Sequence, residues 1–589
     1  MEVTEREAAT PLTKEQRASA RGVPLRRLNI HTYDLYGAAA LAFIVALRLL
    51  LVALGWPPTN SDEGTMGLMA MHIAYQGDHP YFFYGQNYMG SLEAYLGAFF
   101  FRLFGGPSLF ALRLSVILLV TLFFIALYVL TSFLFSRKLA IVTLIMLSIG
   151  SIPYLTRQTI ATGGSSETLL FGTLAFLLAA WLACTYKRVL PFQAMWRVAA
   201  YGCWGLVVGL GMWSDMVVLP YFAVAGLLLL IFCWREVLAW AWIIMLICVF
   251  IGLTPLIKYD LSHHINSGAI LLSLVHGSSA TAPTSLRGIL HNIKSTTLVS
   301  IPTATGEPFC PVYELPFLSD NVPQTAQCTL IHAAWGGGYI LLMGIALLFA
   351  LGGLRALRSR HYDAASDEQQ RQRVRHVARL LLLCGGILNI AVFVFSSGPV
   401  NWPGFHARYL IGLVIVTPAL LAPLWSAASR LSAPEDWRER AKRYASRAVL
   451  VIAWSILFTG TIIAFTELPA AQNAYRQRVD LINHLLSLGE RHIYTNYWTC
   501  DDIAFTSHER IICGIPNAGL GYDWVHNRVP DYYPLVHADK HAAYVMPLDT
   551  HLLPEQDAVL TPAVEKKVAR DPSAYRRYVF DGYVVYVPK

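Results

Sequence analysis

Charged residues make up only 14% of this 589-residue chain, against 55% hydrophobic ones and a mean hydropathy of +0.47. So little charge excludes an ordinary soluble protein. Cysteine is sparse as well: nine residues, at no spacing that resembles a zinc site. There is no internal repeat and no low-complexity tract. The first 35 residues are polar, and the first apolar run is long enough to be a full span rather than the short core of a cleavable signal peptide.

What the chain has instead is long apolar runs. A spanning helix needs about 20 apolar residues. Candidate spans are 37–55, 108–135, 138–154, 168–186, 199–213, 217–233, 237–257, 334–354, 380–396, 409–428 and 448–467, about eleven transmembrane helices in an all-α polytopic bundle. Lys and Arg mark every second connection. Arg17, Arg21, Arg26 and Arg27 precede the first span, and Arg137 and Lys138 follow the second. Lys187, Arg188, Arg197 and Arg235 come next, then the Arg-rich loops 355–379 and 429–447. Cytoplasmic loops carry this excess, so residues 1–35 are expected to be a cytoplasmic tail and the C-terminus to be extracytoplasmic, or periplasmic, at the cytoplasmic membrane. The net charge of +8 is therefore a topology signal and not a nucleic-acid footprint.

Three segments on the outside are large. Loop 56–107 offers two interfacial helices, Glu63–Tyr75 with Met66, Met69 and Ile73 on one face, and Asn87–Phe104. Loop 258–333 is rich in Ser, Thr and Pro, and reads as irregular. Residues 468–589 alternate helical and strand-like stretches, which predicts a small α/β domain after the membrane module 36–467. Cys310, Cys328, Cys500 and Cys513 all fall outside, where two local disulfides, Cys310–Cys328 and Cys500–Cys513, can form. The other five cysteines lie within spans or at their ends.

Asp62 and Glu63 stand where the first span leaves the membrane. Two adjacent carboxylates can be tuned in protonation, and one of them can serve as general base toward an acceptor hydroxyl. Helix capping is the plainer account of the same pair. Tyr84, Gln86, Asn87 and Tyr88, in the aromatic run after position 80, and Glu93 just beyond suit a sugar, although aromatic belts also occur at any membrane surface. Glu167 follows Gly163-Gly164-Ser165-Ser166, where it too can be a cap. Arg157, Lys258, His406 and Arg408 lie on the outside, where cations are otherwise rare; a guanidinium there suits a phosphate, and Arg408 fits best. The buried positions Arg48 and Arg113 can serve the same end, or can pair with acids such as Glu93.

With these residues in view, the chain resembles polytopic glycosyltransferases of the GT-C fold, closest to protein O-mannosyltransferases and the lipid A aminoarabinose transferase. The likeness rests on Asn60-Ser61-Asp62-Glu63-Gly64, the run from Phe82 to Tyr95, Leu112-Arg113-Leu114 and Gly163-Gly164 with Glu167. Arg408-Tyr409-Leu410 and Tyr497-Trp498 with Phe505, Ser507 and Glu509 add to it. The resemblance implies a catalytic Asp at position 62, a polyprenyl-phosphate-monosaccharide donor and no required metal. The acceptor would be a hydroxyl of a glycan, lipid or protein, with membrane lipids around it and no nucleic acid. A transporter, a lipid flippase or a non-catalytic scaffold would share the polytopic composition, but gives no role to an acidic interfacial loop and a large outside domain.

Overall fold

The computed structural model describes residues 32–186, 191–263, 283, 285–310, 325–359, 367–400, 402–430, 436–548, 559–580 and 582–589. The N-terminal tail to residue 31, Lys187, Arg188, His264 and Arg360 lie outside the described residues, as does much of loop 258–333.

The apolar runs form helices, in chain order α1 (Thr32–Ala53), α2 (Ser61–Met71), α3 (Leu92–Phe104), α4 (Leu109–Leu134), α5 (Arg137–Leu147), α6 (Ile152–Thr156), α7 (Ser165–Thr185) and α8 (Pro191–Ser214). They continue with α9 (Leu219–Glu236), α10 (Trp242–Gly252), α11 (Thr254–His263), α12 (Leu286–Ser295), α13 (Ile301–Thr305), α14 (Ala326–Ser359), α15 (Asp367–Val394), α16 (Thr417–Ala428) and α17 (Trp437–Thr466). Among the described residues seven helices are long and apolar enough to cross a membrane, or eight with one bent pair. The chain is a multi-pass membrane protein, and by this count the exact number of eleven spans is not confirmed.

Hydropathy counts composition and misses breaks. The stretch 138–154 is interrupted by Ser148, Gly150, Ser151 and Pro153, leaving an eleven-residue α5 and a five-residue α6. Buried Arg48 of α1 closes that break, donating to the Ser148 carbonyl at 2.7 Å and the Gln158 side chain at 2.6 Å. Among the described residues it pairs with no acid. Stretch 409–428 is a 3₁₀ segment, Phe405–Val414, meeting α16 at 54°. Conversely, Met216–Gly252 is one 37-residue helical run. Its halves lie along α8 in opposite directions. Phe222 meets Gly211 and Glu236 pairs with Arg197, whereas Trp240 packs on Tyr201 and the Met245 and Val249 carbonyls approach Gly205 and Gly209. The kink at Cys233 turns the chain back, so α9 and α10 are antiparallel.

Helix α18 (Leu468–Ser487) leads from α17 into the C-terminal domain, built on β1 (His492–Tyr494), α19 (Tyr497–Thr506), β2 (Ile512–Gly514), α20 (Tyr532–Ala538), β3 (Ala543–Pro547), α21 (Leu560–Arg570), β4 (Tyr575–Phe580) and β5 (Tyr583–Pro588). The strands form one mixed sheet in the order β2-β1-β3-β5-β4, with β1 parallel to β2 and β3 and the other pairs antiparallel. Strand β4 is an element the sequence reading lacks. Both disulfides form, with Cα atoms 5.6 Å apart for Cys310–Cys328 and 5.5 Å for Cys500–Cys513.

The domain sits directly on the first loop. Helix α2 does not float at the lipid surface as expected, since almost every residue in it is buried. Gly64 and Gly67 explain the close fit. A Cβ at 64 would come within 2.5 Å of the Asp502 backbone nitrogen, and one at 67 within 2.6 Å of the Phe505 ring. Helix α3 keeps the interfacial character, with Glu93, Ala94, Gly97 and Phe101 buried and Phe99, Leu103 and Phe104 exposed.

Candidate active site

The Asn60 side chain caps α2 by accepting from the Glu63 backbone at 2.8 Å. Successive helical residues point about 100° apart, so the two acids part company. Glu63 turns inward and is fully buried. Arg113 of α4 holds it with Nε at 2.8 Å and Nη2 at 2.7 Å, and the Ala161 backbone donates to it at 3.1 Å. Both Glu63 oxygens are thus engaged by the Arg113 fork, and Arg113 pairs with Glu63, not Glu93; of the two acids, Asp62 is the one left open. Asp62 stays half-exposed and accepts a hydrogen bond from the Tyr497 hydroxyl at the start of α19. Burial first, and the Asp62 carboxylate next, push the Tyr497 phenol well above its ordinary value, which keeps it a donor.

Cations gather around Asp62. Arg408, in the 3₁₀ segment, lies 4.4 Å over the Phe405 ring and donates to the Tyr409 hydroxyl at 3.2 Å. Arg528, from the loop before α20, lies over Phe83 and Tyr497 at 5.7 and 5.3 Å. Both guanidiniums are within electrostatic reach of Asp62. Burial opposes the charge on Arg528, but Tyr497 and Asp62 more than offset it. The Nε–H groups of Arg408 and Arg528 are both buried without a hydrogen-bond partner. Buried Arg157, which follows α6, lines one small cavity with Arg408, Tyr154 and Thr303. The arrangement is a carboxylate open to one side with guanidiniums around it, suited to an anion bearing a group that the carboxylate side can attack.

The other expected residues divide. Tyr88, 44% exposed, lies with the Asp62, Arg408 and Arg528 group, and crowding by its neighbours, Tyr409 among them, raises its phenol above the ordinary value. Gln86 and Asn87 flank it in the loop closed by the Phe82–Gly90 bridge, and the Gln86 side-chain oxygen is buried without a partner. Tyr84 belongs to a separate network with Asp78 and His72, and His72 in turn meets Glu509 at 2.8 Å. Glu93 and Glu167 meet each other through Ser166, at 2.6 and 2.8 Å. Burial and the facing Glu167 hold Glu93 well above the usual carboxylate range. His406 contacts the Gly398 carbonyl at 3.2 Å and stacks on Tyr409. Lys258 is exposed on α11 and does not line the Arg157–Arg408 cavity.

Arg528 and Asp501 were missed from sequence. Asp501 of α19 is buried 2.5 Å from the Thr65 hydroxyl, and its backbone donates to the Ser61 side chain at 3.1 Å. Among the described residues, the group compact enough to hold a metal ion is Cys500, Asp501 and Cys513. Its two sulfurs are joined as a disulfide, so it offers no thiolate.

The fold is that of the GT-C membrane glycosyltransferases. ArnT from Cupriavidus metallidurans, in its apo state, is similar over 93% of this chain and 98% of that one, at 13% identity and a TM-score of 0.50. AglB from Archaeoglobus fulgidus, an archaeal oligosaccharyltransferase in complex with an inhibitory peptide and a dolichol-phosphate, is similar over 95% of this chain and 74% of that one, at 14% identity and a TM-score of 0.46. No protein-family model matches the sequence, and no curated protein sequence does either.

Proposed function

We propose that the protein is a membrane glycosyltransferase that moves a monosaccharide from a polyprenyl-phosphate donor to a hydroxyl acceptor on the outer face of the cytoplasmic membrane. One observation carries the reading: a half-exposed Asp62 carboxylate faces two guanidiniums whose buried Nε–H groups have no partner. Such orphaned donors are costly unless an anion completes them.

Asp62 takes the proton of the acceptor hydroxyl as that oxygen attacks the anomeric carbon. The bond from this carbon to the phosphate oxygen breaks, and the electron pair leaves on the lipid phosphate. Arg408, with Arg157 beside it, and Arg528 stabilise that charge, and their fork geometry suits two phosphate oxygens. Base and leaving group lie on opposite faces of the sugar, so the anomeric configuration inverts. Tyr497 holds the carboxylate in line. Tyr88, Gln86 and Asn87 border the sugar. With the leaving-group charge met by arginines, no divalent metal is required, and a chelator leaves the rate unchanged. The acceptor is a glycan, lipid or protein hydroxyl, and nucleic acid has no part.

The test is transfer from a labelled polyprenyl-phosphate sugar by reconstituted protein. Asp62→Asn keeps the Tyr497 hydrogen bond but removes basicity. It should lower turnover by roughly 10²–10⁴-fold, the usual worth of general-base catalysis, with donor binding retained. Near-normal turnover in Asp62→Asn would sink the assignment.

A further inference from the structure

A second cavity, about 510 Å³ in volume, opens beside the outer ends of α1 and α4, against α18. Its two walls differ in kind. Leu54 at the end of α1 and Leu109 and Phe110 at the start of α4 form an apolar wall, at the level where two candidate spans leave the membrane. Arg476 and Arg478 of α18 form the other wall, and Thr59 also lines the cavity.

On the polar side one buried hydroxyl is unsatisfied and one guanidinium, that of Arg476, is exposed. The Thr59 side chain is only 6% exposed, and its hydroxyl has no hydrogen-bond partner. Arg478 is tied to Asp502 at 2.6 Å, but among the described residues no carboxylate pairs with Arg476. A small soluble anion would use the arginines and leave the apolar wall bare. A hydrocarbon ligand would bury a guanidinium against nothing. An amphiphile uses both, and the exposed faces of Leu50 and Leu118 on the same two helices continue the apolar surface down into the bilayer.

We propose that this cavity is a binding site for an anionic phospholipid. Its phosphate sits between Arg476 and the Thr59 hydroxyl, and its acyl chains run along α1 and α4. The site is separate from the Asp62 group and does not depend on transfer activity. The geometry gives it a consequence. Helix α18 already touches α1 through Gln472, which donates to the Leu54 carbonyl at 2.9 Å, and α18 leads to the domain bearing Tyr497 and Arg528. A lipid wedged here ties that lead-in helix to the bundle.

The experiment uses full-length protein in nanodiscs of phosphatidylcholine, with or without phosphatidylglycerol. Lipid retained after detergent extraction is read by native mass spectrometry, and thermal unfolding is followed in parallel. Wild type should retain phosphatidylglycerol in preference to phosphatidylcholine and gain thermal stability from it, as ligand linkage requires. Arg476→Gln should weaken retention roughly fivefold, the worth of one cation near an anionic lipid surface, and Arg476→Lys should largely restore it. Ala53→Trp, which fills the apolar side, should lose retention with every charge intact. Unfolding in pure phosphatidylcholine that matches wild type shows that a variant still folds. Retention unaffected by either Arg476→Gln or Ala53→Trp would overturn the site. Equal stabilisation by inorganic phosphate would reassign it to a free anion, and equal retention of phosphatidylcholine would remove the claim of charge selection.

Discussion

Asp62 and Glu63 are adjacent in sequence and chemically alike, yet the helix sends them to different environments. Glu63 is locked against Arg113 with neither group exposed. Removing one partner of such a pair strands a buried charge and typically costs about 3–5 kcal/mol. Glu63→Gln should therefore show a clear drop in unfolding temperature in detergent, and whatever folded protein remains should still transfer. A Glu63→Gln protein of unchanged stability and no activity would instead make Glu63 the base. The phosphate side makes its own demand. Arg408→Ala should raise the apparent KM for lipid donor, and Arg408→Lys should restore it only in part, because an ammonium lacks the fork. Donor kinetics unchanged in both variants would remove Arg408 from the site. These two cases also mark what was legible. The sequence placed an acidic pair at a membrane exit and flagged Arg408 and Arg157, because outside cations are rare in such a chain. The same reasoning has no force for Arg528, which sits in a domain where Arg491, Arg510, Arg576 and Arg577 are unremarkable. Nor does spacing reveal that Arg113, fifty positions away, claims Glu63.

The decisive contact between elements is that of α2 with α19. It was not legible because an amphipathic pattern specifies a buried face without saying what covers it. Met66, Met69 and Ile73 were read as the apolar face of a helix at the lipid surface, but both faces of α2 are buried, one of them under the C-terminal domain. Only Gly64 and Gly67 hint at it, and Gly64→Ala should loosen the docking, seen as faster proteolysis between α18 and β1. The contact also responds to pH. The Thr65 hydroxyl has one proton and lies 2.9 Å from the Ser61 carbonyl, an acceptor only, and 2.5 Å from Asp501. Both contacts are hydrogen bonds if Asp501 is protonated and donates. Burial pushes Asp501 up from 3.8 to about 7 and Asp502 up to about 6. Between the ordinary value and these raised ones, the docked state binds more protons than the open chain. Docking is therefore strongest at low pH and weakens as pH rises through that window. Asp501→Asn keeps a donor at all pH values and should flatten the part of the unfolding-temperature profile below pH 7. A profile identical to wild type would show that Asp501 does not titrate there.

At the scale of the whole molecule, groups from distant parts of the chain converge at one end of the bundle. Asp62 comes from the first loop, Arg157 from the segment after α6, Arg408 from the bent 3₁₀ segment, and Tyr497 and Arg528 from the C-terminal domain. Helix α17 fixes which end that is. It is 30 residues long, about 45 Å at 1.5 Å per residue, enough to cross the bilayer. Its first turns carry exposed Arg438, Arg440 and Lys442, while its last residue, Thr466, leads into α18 and the domain over Asp62. Basic residues beside a span stay on the cytoplasmic side, which supports the proposal that the Asp62 end faces out. A nucleotide sugar made in the cytoplasm cannot reach such a site, whereas a sugar on a flipped polyprenyl phosphate can. A reporter fused after residue 435 should therefore behave as internal, and one fused after residue 470 as external. The reverse pattern would put Asp62, Arg408 and Arg528 in the cytoplasm, where a nucleotide sugar could serve, and the case for a lipid-linked donor would lose its topological support.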